Sequence, residues 1–99
     1  MKITQSREGT HLTLSLEGRL DTTTAPGLEG TLKSALPEIA KLTLDMKNLE
    51  YISSAGLRVI LFAQKQMDKQ NGELIVMHAN ESAMEVFEIT GFTDILTIV

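Results

Sequence analysis

The sequence predicts an α/β domain: a mixed sheet of about five strands with three main helices packed chiefly on one face. Three observations lead there. Segments of period-two alternation and segments of helical spacing follow in the order strand, strand, helix, strand, helix, strand, helix, strand, which is the pattern of a largely parallel sheet with crossover helices. The second strand has one apolar and one polar face, so helices cover mainly one side. The chain has 99 residues, 42% of them hydrophobic and 22% charged, which suits one domain, residues 1–99, with one modest core.

Residues 1–6 form a short edge strand, and Arg7-Glu8-Gly9-Thr10 a turn. In His11 to Glu17, Leu12, Leu14 and Leu16 point one way and His11, Thr13, Ser15 and Glu17 the other, a half-buried strand. Gly18 to Thr24 reads as a polar connection. Thr24 is placed as an N-cap with Pro26 in the first turn of a helix whose inner face is Leu28, Leu32, Ala35 and Leu36; Pro37 stands at its end. Gly27 and Gly30 weaken this helix intrinsically, so it depends on packing.

Leu42, Leu44 and Met46 alternate with Thr43, Asp45 and Lys47 in a third strand, followed by Asn48-Leu49-Glu50 and a serine-containing turn. A helix from about Ala55 to about Gln70 begins apolar and ends polar, so its start is buried and its end reaches water. Asn71-Gly72 supplies its stop. Glu73 to Met77 is a buried central strand. Asn80 or Ser82 caps a third helix, Ser82 and Glu85 having capping-box spacing. Met84 and Phe87 form its core stripe, Gly91 closes it, and Ile95 to Val99 is a final strand.

Composition narrows the function. The net charge of −4 and the scattered nine basic residues disfavour nucleic acid and anionic membranes. The absence of cysteine removes disulfides and thiolate chemistry. No apolar run has the length of a bilayer span, and the N-terminus lacks a signal-peptide core. The expectation is a complete, soluble, cytoplasmic domain without membrane insertion, metal or cofactor.

The segment Tyr51-Ile52-Ser53-Ser54-Ala55-Gly56-Leu57-Arg58 carries the chemistry. It places two hydroxyls where a strand gives way to a helix N-terminus, whose outward N–H groups and dipole tolerate negative charge. A serine before an apolar helix is commonly a cap, but only one of the two can cap. Ala55 and Gly56 are small and leave the turn open to an approaching protein, and the buried helix behind it is a rigid base. Asp21, Thr22, Thr23 and Thr24 form a second candidate surface, because loops leaving the C-terminal ends of parallel strands share one edge. Asp21 is then a neighbour of Ser53 and Ser54, with a structural and an interface role both open.

Little points to an enzyme. His11 and His78 lie on strands far apart in sequence and read as solvated or internally satisfied. The serine turn lacks the glycine of a nucleophile elbow, and no glycine-rich loop with a lysine is present. Ser54 as a hydrolytic nucleophile lacks a base nearby, apart from Asp21 or Asp45 through the fold. Glu81, Glu85 and Glu88 make a solvated acidic helix face.

Gly18-Arg19-Leu20-Asp21, the strand ending near Asp45, Tyr51 to Leu57, and Glu88-Ile89-Thr90-Gly91-Phe92 occur in the order and spacing of a STAS domain, and the chain resembles a stand-alone bacterial anti-sigma factor antagonist. The resemblance implies a small STAS-type α/β fold and a regulatory protein rather than a catalyst. In that family the unphosphorylated form binds an anti-sigma factor with serine kinase activity and frees the sigma factor. Phosphorylation of a turn serine ends the binding, and a metal-dependent serine phosphatase resets the cycle. The family turn is usually Asp-Ser-Ser-Gly-Leu or Asp-Ser-Thr-Gly-Leu. Laid on this chain, the acceptor falls on Ser54, the Asp on Ser53 and the following hydroxyl on Ala55. The lost Asp leaves Ser53 as a rival phosphosite. Partner contacts are implied for Asp21, Thr22, Thr23, Thr24, Ser53, Ala55, Gly56, Leu57 and Arg58. The alternative is a non-switching STAS subunit of a membrane-transporter or stress-signalling complex.

Overall fold

Alternation in the second strand sets the layout. Leu12, Leu14 and Leu16 are buried while His11, Thr13 and Ser15 stay half-exposed on the other face. The computed structural model describes residues 1–99. Its strands are β1 (Lys2–Glu8), β2 (His11–Leu20), β3 (Lys41–Ile52), β4 (Glu73–Met77) and β5 (Thr97–Ile98). Its helices are α1 (Ala25–Ala35), α2 (Ser54–Lys69) and α3 (Glu81–Ile89), with a 3-10 turn at Phe92–Asp94.

The sheet order is β1-β2-β3-β4-β5. β1 and β2 form an antiparallel hairpin, and every later pairing is parallel. Each crossover therefore steps one strand in the same direction. Right-handed connections place all three helices on one face. There Leu42, Leu44, Leu74 and Val76 from the sheet pack with Leu28, Leu32, Ile60, Ala63, Met67 and Phe87 from the helices. The predicted fold class and element order hold.

β2 and β3 run further than their alternation suggests. Gly18 to Leu20 and Asn48 to Ile52 are strand, not connection. The cause is a pair of register shifts, between Ser15 and Glu17 and between Gly18 and Arg19 of β2, with the extra residues on β3. Each bulge turns the period from two to three, so the buried apolar positions of β3 run Leu42, Leu44, Met46, Leu49, Ile52. Gly18, at φ +102°, accommodates the bend.

One expected cap fails, and the other helix ends resolve which residue acts. Thr24 occupies the N-cap position of α1 without capping it. Asn80, rather than Ser82, caps α3: its Oδ1 accepts from the Ala83 N–H at 2.8 Å while its Nδ2 donates to the Leu49 carbonyl at 3.0 Å. A residue with two bonding ends satisfies the helix and ties it to β3 at once. After α2, Asn71 takes the left-handed conformation at φ 57°. Gly72 is demanded by close approach instead, since a Cβ there would lie 2.9 Å from the Ala40 carbonyl oxygen. The last strand shortens to Thr97–Ile98 because the chain first makes the 3-10 turn, stacking Phe92 on Phe87 with ring centroids 6.4 Å apart. No helix is long and apolar enough to cross a membrane.

Candidate functional site

Leu20 and Ile52, both buried, sit side by side at the C-terminal ends of β2 and β3. The Ser53 N–H donates to the Leu20 carbonyl at 2.8 Å, extending the ladder by one bond into the turn. This brings the loop after β2 and the turn after β3 to one edge of the sheet.

The two serines divide the work there. Ser53 is the N-cap of α2, extended at φ −94° and ψ 174°. Its Oγ accepts from the Gly56 N–H at 3.3 Å and its carbonyl from the Leu57 N–H at 2.9 Å. Ser54 is the first helical residue; it is exposed, and its hydroxyl makes no hydrogen bond within the protein. Gly56 is buried against β2: a Cβ would meet Leu20 Cγ at 2.6 Å and the Leu20 carbonyl oxygen at 3.0 Å. Only a glycine lets α2 start this close to the sheet. Leu57 is buried beneath the turn, Ala55 is half-buried and Arg58 is exposed.

Across the edge, the loop Asp21 to Thr24 is closed on itself. Asp21 Oδ1 accepts from the Thr23 hydroxyl at 2.7 Å and from the Thr23 and Thr24 N–H groups at 3.0 and 3.2 Å. The Thr23 hydroxyl leads, with the two N–H groups, in holding the Asp21 carboxyl below the usual carboxylate range, against a smaller opposing effect of desolvation. The Thr24 hydroxyl donates to the Arg19 carbonyl at 2.7 Å and accepts from the Asp21 N–H at 2.9 Å, which explains why it does not cap α1. The Asp21 side chain is thus bonded within its own loop and not to Ser53 or Ser54. Thr22 and Thr23 are exposed. Thr22, Ala25 and Glu29 face Ala55, Arg58 and Val59 across a depression of about 190 Å³ between the two helix starts.

One feature of this edge is absent from the sequence reading. The Arg19 guanidinium lies 4.3 Å from the centre of the Tyr51 ring and 3.8 Å from Asp21 Oδ2. Arg19 and Tyr51 are register partners, each one residue before a buried strand end, so both face outward on the same side. The signal is the pairing of Leu20 with Ile52, which alternation alone does not supply.

The histidines lie elsewhere. His11, at the opposite edge of the sheet, shares a 2.9 Å hydrogen bond with the Thr43 hydroxyl. His78 is not on a strand but in a left-handed bend after β4, φ 60°, with Nδ1 2.9 Å from Asp45 Oδ1. Partial burial pushes the Asp45 carboxyl up. The bonds from His78 and the Lys47 N–H, with the charges of both residues, outweigh it and hold the group low. Neither histidine hydrogen-bonds either serine.

The STAS domain family model matches residues 2–99. The chain belongs to the STAS domain family. Among curated STAS relatives, BtrV of Bordetella bronchiseptica is 36% identical over 99% of this chain and 85% of its own length. The anti-sigma-B factor antagonist of Listeria monocytogenes is 30% identical over 95% of this chain and 83% of that protein. The anti-sigma factor antagonist SpoIIAA superposes in its unphosphorylated form with a TM-score of 0.79 at 13% identity, covering 99% of this chain and 87% of that one. SpoIIAA in its phosphorylated form also gives 0.79, at 14% identity, covering 99% and 91%. The STAS fold of this chain thus matches that protein equally well in both states.

Proposed function

We propose that this STAS domain is an anti-sigma factor antagonist controlled by phosphorylation of Ser54. The unmodified form binds an anti-sigma factor that is also a serine kinase, and so frees the sigma factor. The observation that carries the reading is the division of roles in the turn: Ser53 caps α2, while the Ser54 hydroxyl is exposed and unbonded on a rigid helix start. Phosphoryl transfer forms a bond from Ser54 Oγ to the γ-phosphorus of ATP, breaks the bond to ADP, and passes the hydroxyl proton to the kinase's base. Ser53, the rival acceptor, is half-buried and already engaged in capping the helix. The added charge, about −1.5 to −2 at neutral pH, acts against a docked partner by repulsion and desolvation, and a metal-dependent serine phosphatase removes it. The domain is a binder and a substrate, not a catalyst. Its docking surface joins Ser54, Ala55 and Arg58 to the Asp21–Thr24 loop across the shared edge, with Gly56 and Leu57 seating the turn. Names of the Listeria relative and of SpoIIAA support the antagonist role.

The test is affinity capture from lysate of the source cells with wild type and Ser54→Glu as baits, read by mass spectrometry. A serine kinase of the anti-sigma type held by wild type and lost with Ser54→Glu is the expected result. Transporter or scaffold subunits held equally by both baits would overturn it in favour of a non-switching subunit.

A further inference from the structure

The chain has three arginines. Arg7 donates to the Gly9 carbonyl at 2.9 Å, and Arg19 is stacked on Tyr51 and paired with Asp21. Arg58 alone makes no hydrogen bond, ion pair or ring contact, although it lines the depression beside Ala55 and Thr22. It stands four residues after Ser54 on α2, one turn along the same face. Side chains on a helix lean toward its N-terminus, so a guanidinium at this position can reach back toward a group on Ser54.

We propose that Arg58 is the intramolecular counter-ion of phosphorylated Ser54, so that modification both adds charge to the docking surface and removes its one unpaired guanidinium from a partner's reach. The inference rests on Ser54 being the acceptor. The acidic residues nearest Arg58 each have another partner. Glu29, the acidic residue on the facing wall of α1, is 3.5 Å from Lys33, and Asp21 in the neighbouring loop is held by Thr23, Thr24 and Arg19. A phosphoryl group brings three acceptor oxygens, which the forked guanidinium can engage in pairs. The unmodified surface then offers a cation suited to a carboxylate of the partner, and the modified one a guanidinium already paired beneath a net negative charge.

The test uses the full chain with phosphoserine installed at position 54 during translation, without any kinase. The second phosphate ionisation is followed by phosphorus NMR. In low salt the phosphate of the wild-type background is expected to titrate about half a unit below that of Arg58→Gln, a Coulomb interaction across several ångströms of water-rich surface. Arg58→Lys is expected to keep most of the shift, and about 1 M salt to erase it. Identical titrations of wild type and Arg58→Gln in low salt would overturn the pairing. A wild-type shift that persists at about 1 M salt would overturn it equally, because it would have another cause. Absence of phosphate on Ser54 in cells would count against the acceptor reading instead, and leaves the titration result standing.

Discussion

Ser53 and Ser54 have the same side chain, and one step of helix geometry gives them different work. The Ser53 hydroxyl closes the first turn by accepting from Gly56, whereas the Ser54 hydroxyl accepts nothing from the fold. Ser53→Ala is therefore expected to cost about 1 kcal/mol, the usual worth of an N-cap, and Ser54→Ala only a few tenths, as at an exposed surface position. Urea denaturation of both variants checks this, and equal losses would contradict the division of roles. Gly56 is the other residue on which the turn depends. Alanine there gains at most about 1 kcal/mol of helix propensity, but its methyl meets fully buried Leu20 and the Leu20 carbonyl. Overpacking of that kind costs about 1–3 kcal/mol, so Gly56→Ala is expected to lower Tm in a thermal melt. The two serines and the small residues after them are visible in the sequence as a turn chemistry. Which serine caps follows only from the extended backbone at Ser53.

At the scale of elements, alternation reveals strands where the ladder is regular and hides them where it is bulged. β4 is legible to its ends because Glu73 to Met77 pairs in register with β3. The last third of β3 is not, since two extra residues change its burial period at the bulges. The Arg19–Tyr51 stack is hidden for the same reason. At the end of the regular part of β3, the Asp45–His78 contact bonds β3 to the bend where β4 ends. Asp45 is held below the ordinary aspartate range, so the folded chain binds its proton less readily than the unfolded chain. Its contribution is complete above a pH of about 4, the unfolded aspartate value, and is lost as the pH falls through the lower folded value. Asp45→Asn is then expected to destabilise the domain by about 0.5 kcal/mol at pH 7, given the half-exposed partner. Below the folded value the variant and wild type should converge. Denaturant midpoints at the two pH values check the sign, and a larger loss at low pH would contradict it. Asp21, also lowered, adds a dependence of the same direction.

For the whole molecule, the question is whether a charge at Ser54 acts through the fold or through the surface. The fold class was legible because the order of elements and the one-sided β2, with the usual right-handed crossovers, favour one arrangement: all helices on one face, and the loop after β2 and the turn after β3 at one edge. Within that arrangement Ser54 lies outside the core, above buried Leu57 and Val59 rather than among them. A carboxylate at the first turn of α2 meets the positive end of the helix dipole, worth about 0.3–1 kcal/mol in favour of the folded state. Nothing buried has to move to admit it. Ser54→Glu is accordingly expected to leave the far-UV circular dichroism unchanged and Tm unchanged or raised by a few degrees, since 1 kcal/mol shifts a domain of this size by about 4–8 °C. On the proposed function, binding of the anti-sigma partner should fall about a hundredfold by calorimetry if docking desolvates that charge at a cost near 3 kcal/mol. A fall of Tm by more than about 8 °C, which is 1 kcal/mol or more, would mean that the charge releases the partner by loosening the domain. A stable Tm with lost binding leaves the edited surface as the cause, because the change is then confined to the side chain beside Arg58 at the open edge of the sheet.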